Sequence, residues 1–418
     1  MQAGVRTVDP GEPMPNHCRV TSEDRTKSSY DRHPYPATDI GRLIEQGGAL
    51  PPKKWIQAIG RPGRASPRRV LVAGCGTGVE AFIVHRWWPE AEIVGVDFSP
   101  RSIAVARRLQ STAGAGRPIA FYVGDLTDPE LASKVGGDFD LITCHGVLSY
   151  IPDPGRGLNA LGACLRPGGA LYLGVNGEAH PATRLRPWLA SFGLAVEELR
   201  DERRLRELLG LWDALNDEGG GELATMSTSY LGGDVCGPHF NNWSVARWRA
   251  EANRCGWEIA GTDILPLALQ VTMERENHRV LFPAGPGELA GRLDAARPAG
   301  FHRMMLRRVE AGELDVACTG APGQTLRWTG LHAVRWGKEA GRRTERVVFQ
   351  CATFRLRTEW TLTAAQAKAL RGLVADGVAS AAGLRAWTRS DAGRRMLGLW
   401  AGLGVVARDD TVAADPER

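Results

Sequence analysis

Three glycines alternate in Gly74-Cys75-Gly76-Thr77-Gly78, directly after the apolar run Val70–Ala73. A second apolar run, Ile93–Val96, ends in Asp97, and a third, Ile119–Val123, is followed by Gly124-Asp125-Leu126. Glycine has no Cβ, so such a turn can take positive φ and let a ligand approach the backbone. A carboxylate at the end of the next strand can accept hydrogen bonds from both hydroxyls of a ribose. Asp125 can take an adenine amino group while Leu126 packs on the ring. Together these residues suit a nucleoside with a small, close-fitting tail. The dinucleotide pattern G-x-G-x-x-G is not met, because its third glycine would fall on Val79.

A second set of residues could act on whatever meets that ligand. His145 directly follows the run Phe139–Cys144. It reads as a base or pocket wall on the sheet rim, the alternative being a ring that only packs beside the ligand. Tyr150, in Ser149-Tyr150-Ile151-Pro152, could line the same pocket or serve packing. His239 lies in the Gly-rich stretch 232–240, which could close over the site; otherwise it is a helix-entry residue bonded to a neighbouring loop. Tyr30, His33 and Tyr35 either fold over the ligand or staple the N-terminal helices. Glu178 is a further candidate to face the second substrate. The eight cysteines form no C-x-x-C pair, so no metal site is expected.

The elements that must carry these residues alternate. Strands are predicted over Val70–Ala73, Glu92–Val96, Ile119–Val123, Phe139–Cys144 and Ala170–Val175. Helices are predicted over Val79–Trp87, Pro100–Ser111 and Arg156–Leu165, the last closed by Pro167-Gly168-Gly169. Such alternation gives a doubly wound α/β sheet of the Rossmann-like kind. At 418 residues, more than one domain is expected. Residues 1–28 read as a flexible N-terminus and 29–66 as a helical lid segment. Residues 67–275 read as the sheet domain, carrying an inserted helical cap over about 182–240 whose 222–242 part is a mobile loop. Helix Trp243–Cys255 and strand Trp257–Thr262 return the chain to the sheet. Residues 276–418 read as an α+β, winged-helix-like domain, with strands Phe301–Leu306 and Val347–Leu356 and helices Thr363–Leu373, Ala379–Thr388 and Asp391–Leu403.

Hydrophobic content of 43% and charged content of 24% are those of a globular protein. No apolar run reaches the ~18 residues that span a bilayer. Met1–Pro15 lacks an export pattern, so a cytoplasmic location is expected. The formal charge of +5 concentrates between 301 and 360 and reads as a solvated Arg-rich face. Among small apolar residues, Ala379–Thr388 offers only Arg385 and Thr388 to base edges, so nucleic acid is not an expected partner.

The stretch from about 69 to 176 resembles a class I S-adenosylmethionine-dependent methyltransferase. Gly74–Gly78 match its glycine motif, Asp97 its ribose acid, Asp125 its adenine-side acid and Leu165–Leu171 its "LRPGG" turn. The resemblance implies S-adenosylmethionine as cofactor, held by Gly74, Cys75, Gly76, Gly78, Asp97, Phe98, Asp125, Leu126 and His145, with Tyr30 and Tyr35 folding over its methionine end. A narrower likeness joins Tyr30-Asp-Arg-His-Pro-Tyr-Pro36 and Asp39–Leu43 with His145–Pro152. It is similar to bacterial methyltransferases carrying a methyltransferase regulatory region, a group that includes protein-lysine methyltransferases. The chain departs from that pattern at Ala37 and at Asn176-Gly-Glu178. The expected function is methyl transfer by in-line displacement to a nitrogen or oxygen of a peptide, protein or mid-sized metabolite, with His145, His239 and Tyr150 as catalytic candidates. The alternative is a cofactor-binding regulator or partner subunit with a winged-helix-like tail. A homodimer through the C-terminal domain is also expected.

Overall fold

A computed structural model describes residues 26, 28, 30–31, 34–36, 40–46, 48–60, 66–113, 118–194, 201–216, 223–237, 239–263, 286–308, 325–338, 344–351, 356–379, 383–390, 393–394, 396–397, 400 and 405–408. His33 and residues 1–25 lie outside this set.

Two short helices, α1 (Ile40–Gln46) and α2 (Lys53–Gly60), precede the sheet. Then follow β1 (Arg69–Ala73), α3 (Val79–Trp87), β2 (Glu92–Asp97), α4 (Pro100–Ala113), β3 (Ala120–Val123), α5 (Leu131–Val135), β4 (Phe139–His145), α6 (Pro154–Cys164) and β5 (Leu165–Asn176). The strands are apolar and, in β1 and β4, buried almost throughout, as strands covered on both faces must be. Proline at the first turn starts α4 and α6, and Asp153 caps α6 by accepting from Arg156 N–H.

The main sheet runs β3-β2-β1-β4-β5-β7-β6, with β6 at Trp257–Thr262 and β7 at Phe301–Arg308. Strands β1 to β5 pair in parallel, whereas β7 is antiparallel to both β5 and β6. The order reverses between β1 and β4, which opens a crevice at the carboxyl ends of those strands.

Strand β7 corrects the expected division at 275/276. Its Met304, Met305 and Leu306 are fully buried between β5 and β6, so the sheet extends to residue 308. Helix α10 (Pro286–Ala296) packs on α9 (Val245–Arg254) and β6 along the way.

Between β5 and α9 the chain makes the expected insertion. Helices α7 (Pro181–Ser191) and α8 (Glu202–Leu215) pack with residues 223–237 around Leu185, Leu189, Leu205, Leu209 and Leu231. This apolar cluster is separate from that of the sheet. The segment expected as a mobile loop is instead wound and tied down. Leu231–Val235 forms a π-helical turn, and Asn241 donates to the carbonyls of Leu148 (3.2 Å) and Ile151 (2.7 Å).

The C-terminal part is α+β. Strands β9 (Ala333–Lys338), β10 (Thr344–Cys351) and β11 (Leu356–Thr363) form an antiparallel meander. Thr363 then caps α11 (Ala364–Asp376) in a reciprocal box with Gln366. Short strands β8 (Leu326–Trp328), β12 (Val378–Ala379) and β13 (Val406–Arg408) pair beside it. The helix expected over 379–388 shrinks to α12 (Arg385–Thr388), because Val378 and Ala379 pair with β8. A meander with one long helix fits the α+β expectation and leaves the winged-helix arrangement an expectation only. Trp400 centres this unit, with Phe349 and Trp387 at 4.9 and 4.7 Å. Among the described residues, no helix is long and apolar enough to cross a membrane.

Candidate functional site

A cavity of about 550 Å³ lies where the strand order reverses. One end is formed by main chain. The N–H groups of Gly74 and Cys75 donate to the Val96 carbonyl at 2.8 and 3.0 Å, folding the turn back onto β2. Gly74, Gly76 and Gly78 have φ of 69°, 52° and 94°. A Cβ on Gly74 would stand 2.3 Å from Val147 Cγ2, and one on Gly76 2.3 Å from the Tyr35 carbonyl oxygen. That oxygen accepts from Thr77 N–H, and the Pro36 carbonyl accepts from the Thr77 hydroxyl. The N-terminal segment is thus strapped across the glycine turn.

Asp97 closes this end. Gly76 N–H donates to Oδ2 and Ser99 N–H to Oδ1, each at 2.9 Å. Burial pushes its carboxyl up to about 6, against the pull of those two N–H groups. Asp31, which accepts the Ser99 hydroxyl at 2.6 Å, adds to the rise. The carboxylate is therefore oriented but short of compensating donors, which ribose hydroxyls would supply. Asp125 Oδ1 accepts from both the N–H and the hydroxyl of Thr127, each at 2.8 Å. Leu126, Phe98 and Cys75 line the same wall, and Tyr30 meets Phe98 edge-on at 5.7 Å. All the expected cofactor residues except Gly78 line the cavity. Gly78 sits behind it as the residue from which α3 starts, where a Cβ would press on Ala106 and Phe82.

The other end is built from side chains. The Tyr150 hydroxyl donates to Asp234 Oδ1 at 2.6 Å. The Asn176 amide donates to the Tyr150 oxygen at 3.2 Å and to Asn242 Oδ1 at 3.1 Å. Burial pushes Asp234 up to about 6, with the Tyr150 bond opposing. Tyr35 and Tyr230 also line the wall, and both hydroxyls are pushed up first by burial and then by the Asp234 charge.

His145 lines the cavity between the two ends. Its Nδ1 lies 2.7 Å from the Tyr172 hydroxyl, and its ring is 4.8 Å from Phe301. Burial, and then the Arg303 charge, push it down to about 3. A ring whose basicity is lowered this far is a weak proton acceptor and suits a wall better. His239 is not in the wall. Its neighbour Phe240 is, instead, the packing partner of Tyr150 at 5.5 Å, while the Arg186 guanidinium covers Phe240 at 4.5 Å. Asn241 ties this stretch to the 148–151 turn. Glu178 is exposed and also outside the wall.

Sequence reasoning missed Asp234, Asn176, His180 and Glu80, all of which line the cavity. His180 caps α7 by accepting from Ala182 N–H, and burial pushes it down to about 4. Glu80 had a readable signal, an acid in the first turn of the helix after the glycines. Asp234 had none, because it reaches Tyr150 only through the fold. Among the described residues, no His, Cys, Asp and Glu gather in a group able to hold a metal ion.

Residues 66–184 match the family described as Methyltransferase domain. An uncharacterized protein of Synechococcus sp. is 33% identical over 183 residues, 42% of this chain and 42% of that protein. The ubiquinone biosynthesis O-methyltransferase of Bordetella avium is 29% identical over 119 residues, 28% of this chain and 46% of that enzyme. The chain spans just under half the length of these relatives. Among solved structures, PKMT2 of Rickettsia typhi is 16% identical with a TM-score of 0.46, covering 93% of this chain and 76% of that one. The plantazolicin methyltransferase BamL is 14% identical with a TM-score of 0.39, covering 69% and 97%.

Proposed function

We propose, from the premise that residues 66–184 form a class I methyltransferase domain with S-adenosylmethionine as its cofactor, that the whole chain moves a methyl group to a nitrogen or oxygen of a peptide, protein or mid-sized metabolite. One observation carries this reading: a single cavity joins the glycine turn and Asp97 to a second polar centre at Tyr150 and Asp234.

The residues fit the cofactor. Gly74 and Gly76 let the turn pack against Val147 and the Tyr35 carbonyl where a Cβ would clash, Asp97 and Asp125 offer carboxylates to ribose and adenine, and Leu126 and Phe98 give apolar walls. When bound, S-adenosylmethionine supplies a methyl group activated by a sulfonium. The chain's own task is to orient an acceptor lone pair behind that carbon and to exclude water. Orientation of this kind contributes about 7–11 kcal/mol. Where the acceptor carries a proton that must leave, Asp234 takes it, directly or through the Tyr150 hydroxyl. A positioned base adds about 10²–10⁴-fold. His145, backed by the buried Tyr172, forms part of the cavity wall.

The insertion delivers Tyr230 and Asp234 to the acceptor end, which supports an acceptor larger than a simple amine. The match to the O-methyltransferase of Bordetella avium covers only 119 residues, so it keeps oxygen among the acceptor atoms without deciding for it. The C-terminal α+β unit is assigned to acceptor docking or to dimerisation, and light scattering of the full chain separates these roles. The function is tested by transfer of labelled methyl from cofactor to candidate acceptors. Wild-type protein should give a product 14 mass units heavier, and Asp97→Ala should abolish the label. Normal turnover by Asp97→Ala overturns the site; cofactor binding without transfer to any acceptor favours a regulator or partner subunit.

A further inference from the structure

The described wall of the cavity contains no lysine or arginine but four carboxyl groups: Glu80, Asp97, Asp125 and Asp234. Three have work assigned. Asp97 is oriented by Gly76 and Ser99, Asp125 by Thr127, and Asp234 receives the Tyr150 hydroxyl. Glu80 is left over. It stands in the first turn of α3, directly behind the glycine turn. Among the described residues, no hydrogen-bond donor and no cation is paired with it. The titratable groups that feel its charge are Tyr35 over the turn, Cys75 in the turn, Cys144 at the end of β4 and Tyr172 on β5, all neutral. A half-buried carboxyl that lines a cavity without a partner is costly to ionise unless a cation arrives with the ligand.

We propose that Glu80 is the seat for the α-ammonium of the cofactor's methionine end, and that cofactor binding drives its proton into solvent. This rests on the cofactor reading above. Cys75 in the glycine turn feels the charges of both Asp97 and Glu80, so the two acids flank the same turn and can grip the nucleoside and its amino-acid tail separately. Burial alone pushes the Glu80 carboxyl up to about 8, so near neutral pH it carries a proton before the cation comes. Pairing converts the neutral acid to a carboxylate beside an ammonium and releases one proton to buffer; no other bond changes.

The experiment is calorimetry of the full-length protein at about pH 6.5, where both the ligand ammonium and Glu80 are protonated. The probes are S-adenosylmethionine, S-adenosylhomocysteine and 5′-methylthioadenosine, which keeps the nucleoside but lacks the amino-acid tail. Glu80→Gln should weaken both tailed ligands by about tenfold to a hundredfold and leave 5′-methylthioadenosine unchanged. Buffers of different ionisation heat should show close to one proton more released by wild type than by Glu80→Gln. Equal binding of S-adenosylhomocysteine by wild type and variant overturns the proposal. So does a variant that loses S-adenosylmethionine alone, since its carboxyl would then face the sulfonium. If wild-type protein binds none of the three probes, the cofactor reading itself has failed.

Discussion

At the cofactor end of the cavity the polar contacts are largely main chain: Gly74 and Cys75 fold onto Val96, and the N–H groups of Gly76 and Ser99 aim Asp97. At the acceptor end they are side chains, Tyr150, Asp234, Asn176 and Asn242, brought from three separate segments. Backbone contacts depend on φ and on the absence of a Cβ, so few residue types satisfy them. Side-chain contacts depend on which residues the fold brings together, here Tyr150 and Asn176 of the sheet domain with Asp234 of the insertion. The first end therefore tolerates few residue types, while the second is set by side-chain identity.

The largest effect is expected from Gly76→Ala. Its Cβ would collide with the Tyr35 carbonyl at a φ that alanine adopts poorly. Affinity for S-adenosylhomocysteine should fall by about a hundredfold or more. Calorimetry that finds it within threefold of wild type breaks the main-chain account of this end.

Asp234→Asn comes next and probes the other end. The maximal rate should drop by about a hundredfold, with cofactor affinity unmoved. A carboxyl accepts a proton only when ionised, so the wild-type rate should fall as pH drops through about 6 and hold above it. The variant should lose that acidic limb. A pH profile identical in shape to wild type would remove Asp234 from proton transfer.

The smallest effect on the site is expected from Leu209→Ala, within the insertion's own apolar cluster. Truncating a buried leucine costs about 2–5 kcal/mol of local packing. Amide exchange should quicken across 181–237 while cofactor affinity stays at the wild-type value. A parallel loss of cofactor affinity would show that the two ends are not independent.

The same contrast explains what was legible in the amino-acid order. Gly74 to Gly78 and Asp97 are read through local spacing, because one βαβ unit places them and the chain has little freedom between them. Asp234 meets Tyr150 across 84 residues of sequence, and no periodicity encodes that meeting. Strand β7 was recognised as a strand but assigned to the wrong unit, since an apolar run does not say which sheet it will join. His239 looked chemical by residue type and loop composition, yet of that loop it is Asp234 and not His239 that lines the cavity. The helix expected over 379–388 failed for a local reason: Gly377 ends α11 in a left-handed turn, and the next two residues pair with β8.

The insertion carries an interior of its own, closed by Leu185, Leu205, Leu209 and Leu231 and apart from the interior of the sheet. A module that packs on itself can change shape without disturbing its host. The span from α7 to the π-helical turn can then be recast without touching the main-chain contacts that aim Asp97.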